Sequence, residues 1–157
     1  MPSGRTHLGI ELGILALAVA GGIAWVRVGG ISARALGAFS GAYAFSMVFL
    51  SPDLDLVDSR PTRRWGPLSF LWRPYAWIFR HRGASHDIVW GPLTRLLYLG
   101  LLVLAAGIAA SAALGRPVFR GLAEVDIAAV LLGAYAPSVV HVVCDQAWSA
   151  FKRRRRK

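Results

Sequence analysis

The residues able to do chemistry in this 157-residue chain are four histidines and a few acids. His81 and His86 stand five apart, and Asp53 and Asp55 stand two apart in Pro52-Asp53-Leu54-Asp55. His7 lies near the start. His141 precedes Asp145 by four residues near the end, the spacing that puts two side chains on one face of a helix. Neutral imidazole with carboxylate is a donor set for zinc, manganese or iron. His7, Asp53, Asp55, His81, His86, His141 and Asp145 are therefore the candidate ligands. They exceed what one zinc ion needs and could serve two. Glu11 and Asp87 are better suited to holding a ligand in place or carrying a proton. Singly, each residue has a plainer use: aspartates after a proline suit a turn, and His141 and Asp145 could bond each other. What favours a metal is their convergence, which depends on the elements that carry them.

Those elements are apolar. Hydrophobic residues make up 55% of the chain and charged residues 17%, below the roughly 25% usual in soluble domains. Mean hydropathy is +0.50. Nearly continuous apolar runs begin at Leu8, Ile31, Leu96 and Leu122, each near the roughly 20 residues that cross a bilayer. All are rich in Gly, Ala and Ser, which let helices approach closely in lipid. A cleaved signal peptide is the alternative for the first run, with Ala18-Val19-Ala20 as the cleavage site, but the run continues to Val26. Cys144 is the single cysteine, so an intrachain disulfide is excluded.

The expected fold is all-α and polytopic. It is one membrane domain of four transmembrane helices, about 8–26, 31–50, 96–114 and 122–148, with a metal-site loop at 51–92 and a basic tail at 152–157. The loop is aromatic, and Leu68–Arg80 reads as a short interfacial or re-entrant helix broken by Pro74. Four crossings put both termini and the loop on one side, with 14 of the 18 Lys and Arg residues. The positive-inside rule makes that side cytoplasmic. The same topology brings all seven candidate ligands to one membrane surface. The net charge of +10 and the Lys152–Lys157 cluster are then met by anionic lipid; no nucleic acid is expected.

The residues also carry a family likeness. Pro2-Ser3-Gly4-Arg5-Thr6-His7, Pro52-Asp53-Leu54-Asp55, Arg64-Trp65-Gly66, Trp72-x-Pro74-Tyr75, His81-Arg82-Gly83-x-Ser85-His86 and His141-x3-Asp145 together resemble a bacterial family of small metal-binding membrane proteins. That family is similar in turn to the YdjM-type inner-membrane proteins, which are membrane-bound metal-dependent hydrolases. The resemblance implies the same seven ligands and a place in the bacterial plasma membrane. It does not extend to Asp87, whose role rests on proximity to His86.

The functional expectation is a metal-dependent hydrolase at the cytoplasmic membrane face. One or two divalent ions, Zn or Mn/Fe, would activate water. Asp87 would manage the proton, and Arg82 with Arg80 would hold the anionic group of a lipid-linked or other phosphoester. Membrane lipid is the expected partner, and self-association is compatible with the pattern. The alternative is a non-catalytic metal-binding membrane protein with a structural or sensory ion. A transporter is disfavoured, because such sites lie near the midplane and the centres of these runs hold no histidine or acid.

Overall fold

The computed structural model describes residues 4–79, 87–119 and 125–155, and these are helical with no strand among them. Helix α1 spans Gly4–Arg27 and α2 spans Ala33–Phe49. Two short helices, α3 (Arg60–Arg64) and α4 (Arg73–Ile78), follow, then the long helices α5 (Trp90–Leu114) and α6 (Ile127–Arg154). Short stretches of 3-10 helix at Pro52–Asp55 and Gly66–Trp72 link the short pieces.

Local chemistry sets the boundaries. Gly29 ends α1 at φ +76, a left-handed conformation open to glycine, and the Ser32 hydroxyl then caps α2 by accepting from the Ala35 amide at 3.0 Å. Ser51-Pro52 closes α2 and opens the first 3-10 turn, as the proline requires. The Asp126 carboxylate caps α6 through the Ala129 amide. Helix α5 starts at Trp90, inside the stretch expected as loop, and α6 starts at Ile127, later than the hydropathy suggested.

Of the four helices expected to cross, three qualify by length and composition. The helices α1, α5 and α6 are long and apolar enough to cross a membrane; α2 is not among them. At 17 residues α2 is about 25 Å long, short of a hydrocarbon core of about 30 Å. It is instead the packed centre. Leu36 lies against Gly22 late in α1, and the Tyr43 hydroxyl donates to the Glu11 carbonyl early in α1 at 3.2 Å, so α2 runs antiparallel to α1. Its other side packs on α6, where a Cβ on Gly133 would meet the Phe39 carbonyl oxygen. Pro137 interrupts the α6 ladder there, and the Ser46 hydroxyl donates to the Ala134 carbonyl at 2.5 Å. Meanwhile Leu17, Leu97, Leu101, Ile108 and Leu132 stay exposed on the long helices, as outward lipid-facing side chains would.

The segment between α2 and α5 is a folded cap. Leu50, Leu54, Trp72 and Tyr75 form a buried cluster, with Trp65, Phe79 and Tyr98 packed around it. The Trp65 indole donates to the Phe49 carbonyl and the Tyr98 hydroxyl to the Leu71 carbonyl, so the cap is bonded to α2 and α5. Pro74 does not break a helix here. It sits in the first turn of α4, where its missing N–H costs nothing. Phe70, Trp77 and Ile78 face outward, as an interfacial element would place them.

Candidate metal centre

The first helix carries His7 and Glu11 four residues apart, and the last described helix carries His141 and Asp145 four apart. Each pair occupies one helical face. The two faces meet, with the start of α1 against the C-terminal half of α6. His7 Nε2 lies 3.1 Å from Asp145 Oδ1, and His141 Nδ1 lies 3.5 Å from Glu11 Oε1. Within α6, His141 Nε2 is 3.9 Å from Asp145 Oδ2. The two imidazoles stack at 4.1 Å between centroids and 14° from parallel. His7 and Glu11 are buried, and the His141 and Asp145 side chains retain 13% and 14% exposure.

Donor atoms from His7, His141 and Asp145 all lie within 4.8 Å of one another. Two nitrogens and a carboxylate oxygen are a complete protein donor set for a catalytic zinc, which keeps its fourth position open. Two buried atoms support that fit. His7 Nδ1 has no hydrogen-bond partner, and Asp145 Oδ1 makes no hydrogen bond although His7 Nε2 is near. Leaving a buried polar atom unpaired costs about 1–3 kcal/mol, and a bound cation would relieve such a cost. Glu11 is placed to hold His141 through Nδ1, as acids do behind metal-bound imidazoles.

The group opens into a cavity of about 340 Å³. His7, Glu11 and His141 form part of its wall, Asp53 contributes from the 3-10 turn after α2, and Arg5, Arg60 and Arg64 contribute from α1 and α3. Asp53 thus shares the cavity without joining the three close donors. Asp55 goes elsewhere. It is buried and, with Asp53 and Tyr75, lies in electrostatic reach of Arg95, a guanidinium 1% exposed at the start of α5. Burial pushes the Tyr75 phenol up, while its bond to Thr94 and the nearby Arg95 pull it back.

The expected ligands His81 and His86, and the expected anion holders Arg80 and Arg82, lie outside the described residues. Asp87 has a local task. Its Oδ1 accepts from the amides of Val89 and Trp90 at 2.8 and 2.9 Å, capping α5 from the solvent side. These two bonds, first that from Trp90, hold its carboxyl below the ordinary range. Sequence reasoning missed Arg5, Arg60 and Arg64 in the cavity. The available signal was the four-residue spacing of Arg60 and Arg64 beside the Asp53 turn.

A protein of Aquifex aeolicus (strain VF5), described as an uncharacterized protein, is 50% identical to this chain over 62 residues. That region is 39% of this chain and 43% of the relative, so the match spans less than half the relative's length. No solved structure is significantly similar to the fold. Residues 2–155, almost the whole length of the chain, match one family model, and this chain belongs to that family, the uncharacterized metal-binding proteins of DUF2227.

Proposed function

We propose that this protein is a metal-dependent hydrolase of phosphoesters, working at the cytoplasmic face of a bacterial membrane. The observation that carries the reading is the joining of a compact His/His/Asp donor set to an open, arginine-bearing cavity. A structural ion is closed off by its ligands, whereas a catalytic one faces space for substrate. His7, His141 and Asp145 would hold a divalent ion, Zn or Mn/Fe, with His81 and His86 as candidates to complete the shell or hold a second. Such an ion supplies Lewis acidity and activates water near neutral pH.

The chain's own residues do the rest. Glu11 holds His141 and, on the cavity wall, is placed to take a proton from water. Water oxygen attacks phosphorus, the ester P–O bond breaks, and the alcohol leaves with a proton. The outward apolar faces of α1, α5 and α6 favour a substrate drawn from the membrane. Turnover of phosphomonoester, phosphodiester and carboxylic ester lipids by metal-loaded protein in lipid is the test. No turnover of any, with His141→Ala indistinguishable from the parent chain, overturns hydrolysis.

One feature favours a second reading, an ion that fastens the fold. The donors come from opposite ends of the sequence, so a bound ion would tie α1 to α6. A fully coordinated ion with no water in its shell would support that reading over hydrolysis.

A further inference from the structure

We infer that Arg5, Arg60 and Arg64 form an anion subsite in the same cavity, and that this subsite selects a phosphate monoester over a phosphodiester. The inference rests on the donor group holding a divalent ion.

The first support is placement. Three arginines from two separate elements line one cavity with His7 and His141. The pairs His7–Asp145, His141–Glu11 and His141–Asp145 do not involve these arginines. Arg64 has one structural bond, from Nη1 to the Val48 carbonyl at 2.8 Å, which fixes its position at the end of α2. Guanidinium is planar, always charged and suited to gripping two phosphate oxygens at once.

The second support is charge. Around the cavity and donor group stand three arginines and three carboxylates, Glu11, Asp53 and Asp145, with Arg95 also in electrostatic reach of Asp53, so no net negative charge is present before metal binds. A divalent ion then adds two positive charges. A dianionic monoester cancels both, whereas a monoanionic diester leaves one uncompensated in a partly buried space. The remaining wall includes Leu8, Met47 and Leu50, which suits an apolar alcohol portion. The shared chemistry is a phosphate monoester; its source is a membrane lipid or a soluble ester.

The test uses the full chain in phosphatidylcholine nanodiscs with saturating Mn²⁺, and calorimetry with inorganic phosphate. Phosphate should bind only when metal is present. Arg5→Gln and Arg60→Gln should each weaken it about ten-fold or more, with Mn²⁺ affinity kept within about two-fold. Retained Mn²⁺ affinity also shows that the variants are folded. Arg60→Lys should lose less than Arg60→Gln. Dimethyl phosphate, a monoanion, should bind at least about ten-fold more weakly than phosphate. Phosphatidic acid in the nanodisc should compete with phosphate if the lipid is the source; absence of competition overturns a lipid source. Unchanged phosphate affinity in both Gln variants, or equal affinity for dimethyl phosphate, overturns the subsite and leaves the hydrolase reading standing. Arginine-dependent phosphate binding with no monoester turnover overturns hydrolysis and leaves the subsite standing.

Discussion

The imidazoles of His7 and His141 lie face to face, 4.1 Å between centroids, although 134 positions separate them in the chain. The stack forms because α1 and α6 each present an acid four residues along, and each acid reaches the other helix's histidine. His7 is paired with Asp145 and His141 with Glu11, a crossed arrangement that leaves no histidine to choose its orientation freely. Both rings bring a nitrogen within 4.8 Å of an Asp145 oxygen and of each other.

Removing either ring should therefore remove the metal. His7→Ala and His141→Ala in purified protein are each expected to fall from at least one bound divalent ion to a small fraction of one, measured by elemental analysis. Asp145→Asn should lose affinity less steeply, since an amide oxygen still coordinates but carries no charge. Full metal occupancy in the His141 variant would show that the ion lies elsewhere.

Glu11 should behave differently from the three donors. Glu11→Gln keeps a hydrogen-bond acceptor toward His141 Nδ1 and removes the group placed to accept a proton. Loss of a partner behind a metal ligand typically costs about 10–100-fold in metal affinity or activity. The expected outcome is a moderate fall in metal affinity, with a larger fall in turnover of a phosphoester at saturating metal. Equal falls in both would make Glu11 a positioning residue only.

The site was legible in the sequence wherever its residues sit on long helices. His141 and Asp145, four apart near the end of an apolar run, had one geometric reading, and the structure brings His7 to them. Asp53 and Asp55 were harder. A spacing of two looks like a paired ligand, but a 3-10 turn has three residues per turn, so such neighbours point to different sides. Asp53 lines the cavity while Asp55 is buried within reach of Arg95. The arginines were hidden for another reason. Beside an apolar run, basic residues read first as a topology signal, and nothing in their order tells which of them turns inward. Helix α2 misled on length. Its small and apolar residues resemble those of a span, yet they serve contacts with α1 and α6.

Chelation gives a stability readout independent of catalysis. An ion binding only the folded chain adds about 2.7 kcal/mol when its concentration is 100 times its Kd. Because the donors join the first and last long helices, EDTA should lower the midpoint of thermal unfolding in detergent, and Mn²⁺ or Zn²⁺ should restore it. His7→Ala should abolish the metal-dependent part of the midpoint. A midpoint indifferent to EDTA in the parent chain would mean that no ion bridges these helices.

Asp87 predicts a pH dependence in the cap. Its folded pKa lies below the ordinary value because two amides bond the charged form. A depressed carboxylate contributes stability above its unfolded pKa and loses it as pH falls through the folded one. Stability should thus decline on acidification below the ordinary carboxylate range, and Asp87→Asn should flatten that part of the profile. Hydrogen exchange at the Val89 and Trp90 amides would report the change locally. An unaltered profile in the variant would assign the acid sensitivity to other carboxylates.

Gly133 links packing to the metal group. A Cβ there would meet the Phe39 carbonyl oxygen, and that oxygen belongs to helix backbone, which cannot swing aside. Gly133→Ala must therefore push α6 away from α2. Small-to-large changes in tight packing cost about 1–3 kcal/mol, and the displacement should reach His141 and Asp145, about two and three turns further along the same helix. Both a lower unfolding midpoint and a weaker metal affinity are expected. Gly100→Ala is the control, since a Cβ there meets nothing within 4 Å. A loss of midpoint in Gly133→Ala without loss of metal affinity would show that the α1–α6 contact, not the α2–α6 packing, sets the donor geometry.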